Sequence, residues 1–172
     1  MSCSAINGGI LDLCNDGFSG IDKVFIANGP VESFAETAGV VTAITVGGSA
    51  LTPTDFFTFE VPRQTSSITE TVTATQENGT LTFQQDCSMV FNHMSAEKRN
   101  ALLLIGQATT LVVVAKDNSG RYWSIGIENG AYMTAGEVTS GVAYSDRGGM
   151  TITVSGLERN PMFEVTSTIV EA

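Results

Sequence analysis

The chain has 172 residues, enough for one compact domain with a sizeable core; 42 % are hydrophobic and only 15 % charged, well under the usual quarter. Eight Lys and Arg stand against eighteen Asp and Glu, a formal net charge of −10, which repels phosphate and argues against nucleic-acid binding driven by attraction. No apolar run approaches the ~20 residues of a membrane helix, so no membrane partner is expected. A surface so poor in charge is expected to be partly covered by neighbouring subunits.

In chain order, residues 1–19 are rich in Gly, Asn and Asp, and only Ile10, Leu11 and Leu13 offer something to bury. They read as an irregular N-terminal arm, able to pack on a neighbour as easily as on its own domain. The stretch has neither a basic start nor a continuous apolar core, so no secretory signal is expected, and the chain is expected to be made and folded in a cytoplasm. Cys3, Cys14 and Cys87 make an odd count without metal-ligand spacing. Reduced thiols packed as small apolar groups are the expectation, with a Cys3–Cys14 pair left open.

Val24–Ala27, Val40–Val46 and Phe56–Val61 read as strands, closed by Asn28-Gly29-Pro30, Gly47-Gly48 and Pro62. Residues 68–92 carry the clearest local signal. Thr69, Thr71, Thr73 and Thr75 alternate with Glu70, Val72, Ala74 and Gln76, and Thr80, Leu81, Thr82 and Phe83 return after Asn78-Gly79. An Asn-Gly pair between alternating strands predicts a long hairpin with a type I′ turn. A hairpin this polar, with few anchors near its turn, is expected to pair with or line a neighbouring subunit.

One helix is predicted, capped by Ser95, with Glu97 in its first turn, Leu102, Leu103 and Ile105 buried, and Gly106 as terminator. Strands follow at 110–115, 121–127, 150–154 and 163–170, separated by turns at Asp117–Gly120 and Glu128–Gly130, with Pro161 ahead of the last. About ten short strands with one helix predict an all-β sandwich or barrel, 1–172 as a single domain, with one flanking α-helix.

No constellation of catalytic residues stands out. The lone histidine, His93, precedes the helix cap and reads as a surface residue rather than the base of a triad. Asp117-Asn118-Ser119-Gly120 lacks the further ligands of a calcium loop, because Arg121-Tyr122-Trp123 follows. No carboxylate pair is brought together by spacing, and no Gly-rich phosphate loop occurs. The expectation is a non-enzymatic chain with no metal and no cofactor.

The order of these parts resembles the tail-tube family of tailed bacteriophages and related ring proteins of phage tails and necks. The hairpin at Ile68–Asn92, the helix at Ser95–Gln107 and the arm at Met1–Ser19 carry the likeness, together with the closing stretch SGVAYSDRGGMTITVSGLERNPMFEVTSTI. The resemblance spans most of the chain and is architectural. It implies a virion structural protein that forms a homo-oligomeric ring, expected hexameric, stacked into a tube beside other tail proteins. DNA would pass without specific binding through an electronegative lumen. The interface or lumen residues it singles out are Ile10, Leu11 and Leu13 of the arm, and Thr69, Thr71, Thr73, Thr75, Asn78, Gly79, Thr80 and Thr82 of the hairpin. The alternative is a β-sandwich binding module for capsid decoration, adhesion or carbohydrate, with Tyr122, Trp123 and Tyr132 as a stacking platform.

Overall fold

The computed structural model describes residues 18–171. The arm residues Ile10, Leu11 and Leu13, and Cys3 and Cys14, lie outside the described residues. Among the described residues the fold is all-β with a single flanking helix, as the sequence predicts. Its strands are β1 (Ile21–Asn28), β2 (Val31–Thr37), β3 (Val40–Val46), β4 (Ser49–Ala50), β5 (Phe57–Glu60), β6 (Ser67–Thr75), β7 (Thr80–Asn92), β8 (Leu111–Asp117), β9 (Tyr122–Ile125), β10 (Ala131–Thr139), β11 (Gly149–Glu158) and β12 (Glu164–Val165). The helix α1 (Ala96–Gln107) falls between β7 and β8.

The strands run in two layers. One is ordered β5-β1-β8-β9-β12-β3-β2, all antiparallel except the short parallel pairing of β12 with β3. The other is the antiparallel sheet β10-β11-β7-β6. They are stitched together at one register position, Ala131 opposite Leu111. The middle strands β1 and β8 have a core on each side. Val24, Ile26, Val113 and Ala115 join the core shared with β7, β11 and α1, whereas Phe25, Ala27, Val112 and Val114 join a second core with Val41, Ile44 and Ile169. Burial on both faces is why these strands read as unbroken apolar runs rather than as alternation.

α1 begins as predicted, with Ser95 Oγ accepting from Lys98 N–H at 3.3 Å. It does not end at Gly106. The helix continues through Gln107, and the Ala108 N–H closes onto Leu104 O at 3.1 Å. Gly106 instead allows close packing, because a Cβ there would come within 3.2 Å of Met133 Cε on β10. Three further sequence readings are corrected. β2 and β10 are strands although their alternation is too weak to predict them. The expected final strand 163–170 is only Glu164–Val165 followed by a 3-10 turn at Ser167–Ile169. The 68–92 hairpin turns through four residues, Gln76–Gly79, because Thr75 pairs with Thr80. Gly79 alone takes positive φ (62°) and its N–H donates to Gln76 O at 3.3 Å, so the turn is not type I′, which needs positive φ at both central residues.

Candidate assembly surface

The register of β10-β11-β7-β6 decides what each face of that sheet carries. Thr69 stands opposite Asp86, Asp86 opposite Ser155, and Ser155 opposite Tyr132. Side chains alternate along each strand, so one face gathers Ser67, Thr69, Thr71, Thr73 and Thr75 of β6. Opposite them lie Thr80, Thr82, Gln84, Asp86 and Ser88 of β7, then Thr151, Thr153, Ser155 and Leu157 of β11. β10 adds Tyr132, Thr134 and Glu137, the Thr134 hydroxyl lying 2.9 Å from that of Ser155. All six threonines singled out from the sequence therefore sit on one outward face, while Asn78 and Gly79 form the turn at its tip. None of the four strands contains a Lys or Arg. The face is a carpet of hydroxyls and amides, with Asp86 and Glu137 as its charges.

The opposite face of the same sheet begins apolar and then changes. Ile68, Cys87, Met89 and Val154 pack into the core. One level further along, Glu70 Oε2 accepts from Gln85 Nε2 at 3.3 Å and from Met162 N–H at 2.6 Å, and Gln85 Oε1 accepts from Gly126 N–H at 3.3 Å. Next to them Glu158, only 2 % exposed, accepts the N–H groups of Glu128 and Asn129 at 3.1 and 3.2 Å. Burial raises the Glu158 carboxyl to about 7, against the lowering effect of those two backbone donors. Beyond this polar seam Phe83 is the last buried side chain of the hairpin. The hairpin projects there with Val72 and Leu81 about half exposed (55 % and 52 %).

The sheet has two edges. Among the described residues β6 pairs with β7 alone, and β10 pairs with β11 and otherwise meets β8 at one position. Edges of this kind present a row of backbone donors and acceptors to any strand that comes alongside. Both are nine residues long. Successive strands of the sheet are antiparallel, so β6 runs opposite to β10.

The aromatic side chains of the alternative reading are not brought together. Tyr122 is buried in the second core, its hydroxyl bonded to Glu171 Oε2 at 2.5 Å. Trp123, on the other side of the same strand, is half-buried and donates through Nε1 to Asp117 Oδ2 at 3.2 Å. Tyr132 stands alone on the hydroxyl face. The Asp117–Gly120 segment is a turn, with Asp117 Oδ1 accepting the Arg121 N–H at 2.9 Å. His93 is exposed at φ 60° just ahead of α1. Among the described residues, no three His, Cys, Asp or Glu side chains stand close enough to share a metal ion, and no helix is long and apolar enough to cross a membrane.

Sequence reasoning missed two parts of the surface. One is β10, whose bulge between Met133 and Ala135 breaks the period of two. The other is the loop 140–148 after it, in which Val142 and Tyr144 are fully exposed. No protein-family model and no curated protein matches the sequence. Among solved structures, a chain of the anti-feeding prophage baseplate aligns with 88 % of this chain and 97 % of its own length, at 10 % identity and a TM-score of 0.37. A score of this size does not establish a common fold, and nothing about function follows from it.

Proposed function

We propose that the chain is a non-enzymatic structural subunit of a phage-like tail or neck. In this reading copies join into a ring by pairing the outer edge of β6 with β10 of the next copy. The observation that carries it is the sheet β10-β11-β7-β6 itself: two edges of equal length and opposite direction that are open among the described residues, apart from Ala131 of β10, one face of hydroxyls, and no Lys or Arg in its four strands. Pairing β6 with the next β10 continues the antiparallel order without a break and removes both edges at once, as closure of a barrel does. The tail assignment comes from the order of hairpin, helix and arm described for the sequence.

In such a ring each copy contributes four strands. Six copies would give about 24 strands and, at ~4.8 Å spacing and ~40° tilt, a backbone diameter of roughly 48 Å. The Thr, Ser and Gln face would line the channel, with Asp86 and Glu137 making it electronegative. DNA in that channel would meet no cation on the four strands and would slide rather than bind. The other face would keep its apolar packing on β1, β8 and α1.

The test is the mass of the purified protein by size-exclusion chromatography with light scattering, followed by negative-stain imaging of each peak. Rings, discs or tubes are expected. A protein that stays monomeric at every concentration reached overturns the ring reading.

A further inference from the structure

The loop 140–148 between β10 and β11 holds out two apolar side chains that nothing among the described residues covers, Val142 (102 % exposed) and Tyr144 (112 %). Its backbone is tied to itself. Asp146 Oδ2 accepts the N–H groups of Val142 and Ala143 at 2.9 and 2.7 Å, and the Asp146 N–H donates to Ala143 O at 3.0 Å. Gly141 takes φ +73°, where a Cβ would meet that of Asp146 at 2.8 Å. The loop is therefore a tied knob whose apolar tip points into solvent, a costly arrangement for a surface with no partner.

Strand direction says where the knob would go. Where β6 of one copy lies antiparallel to β10 of the next, the Thr139 end of β10 comes beside the Ser67 end of β6. The knob leaves β10 at that end. At the start of β6 lies a cleft of about 470 Å³, lined by Phe18, Gly20, Ser67, Ile68, Asp117 and Trp123 among others. Its walls are fixed: the Phe18 N–H donates to Ser119 Oγ at 3.2 Å, that hydroxyl is bonded to Phe18 O at 3.0 Å, and Trp123 is held by Asp117. The Phe18 ring is 72 % exposed. Just ahead of β6, Arg63 is exposed and has no ion pair among the described residues. The cleft thus offers the apolar walls of Phe18, Ile68 and Trp123 to an apolar knob, and Arg63 lies four positions ahead of Ser67 in the chain.

We infer that the 140–148 knob of each copy seats Val142 and Tyr144 in the Phe18–Trp123 cleft of the adjacent copy, with Asp146 toward Arg63. The contact rests on the ring reading above. It is heterologous, one patch meeting a different patch on the next copy, a geometry that gives a ring where the rotation between copies closes.

The contact is tested by cross-linking assembled protein with a short bis-maleimide. The background is Cys3→Ser/Cys14→Ser; Cys87 is buried. The double variant Val142→Cys/Ser19→Cys is expected to give a ladder of covalent oligomers on a denaturing gel, whereas either single variant gives none. Tyr144→Ser is expected to weaken assembly at least tenfold by light scattering, with an unchanged β-sheet circular dichroism spectrum. Rings that form normally but yield no ladder overturn the contact and leave the ring reading standing. Covalent dimers from Val142→Cys alone mean knob against knob and also overturn it. A ladder seen only after removal of residues 1–17 assigns the cleft to the chain's own arm. Parent protein that never assembles overturns the ring reading and this contact with it.

Discussion

At the scale of single residues, two buried-edge carboxylates pull stability in opposite directions with pH. Glu158 sits in the polar seam with its carboxyl raised to about 7, mainly by burial. A folded-state value above the unfolded one means that the protonated form is favoured by folding. Its contribution is fully present below about pH 4.5 and is lost as pH rises through about 7, a change on the order of 3 kcal/mol. Glu171 is the reverse. Lys116 Nζ at 2.7 Å, and after it the Tyr122 hydroxyl, hold its carboxyl below the ordinary range. That contribution is present above the unfolded value and fades as pH falls through the folded one. Urea unfolding between pH 4.5 and 8 is therefore expected to show stability declining with pH in the parent and flattened in Glu158→Gln. Glu171→Gln is expected to cost about 1 kcal/mol at pH 7, since the pair is partly solvated, and its difference from the parent should shrink below pH 4. None of this was visible in the sequence. Glu158 is one of eighteen acidic residues, and only the fold places it under the turn at Glu128–Asn129. Cys87 is a packed, reduced thiol as the sequence predicts: it is buried, and burial lifts it to about 12.

At the scale of elements, the hairpin was the most legible part of the chain and also the part whose detail was misjudged. The alternation Thr69–Thr75 fixed which residues share a face, and the pairing of β6 with β7 keeps that order without a slip. Its turn type was not legible, because Asn-Gly signals a two-residue loop and the register sets four. β1 and β8 were legible for a different reason, a core on each face. β10 was not, because Gly136, Glu137 and the bulge interrupt its alternation. Beyond the polar seam the hairpin tip contributes little to its own chain's core, with Val72 and Leu81 half exposed and Ala74 exposed. Replacing Thr73–Thr82 by an Asn-Gly turn is therefore expected to change monomer stability by under about 1 kcal/mol while abolishing assembly. Thermal unfolding and light scattering on the same sample check both halves. Loss of folding would mean that the tip belongs to the core after all, and normal rings would remove it from the interface.

At the scale of the whole molecule, the charge balance and the edge pairing make a joint prediction about salt. Copies that each carry a net charge of −10 repel one another at long range. The contacts proposed to join them are backbone hydrogen bonds and apolar side chains, which salt scarcely weakens. Raising ionic strength from 0.01 to 0.1 M shortens the screening length from about 30 to about 10 Å, so assembly is expected to strengthen with salt. A protein held together by ion pairs, or one that gathered on DNA through cations, would behave in the opposite way, losing affinity steeply over the same range. Two titrations separate these cases: light-scattering mass against salt at fixed protein concentration, and retention of labelled duplex DNA by the assembled protein against salt. Mass that rises with salt while DNA retention stays at background throughout fits a subunit whose channel repels what passes through it. Mass that falls with salt would place charge at the interface, and the pairing of β6 with β10 would then have to yield to a different contact.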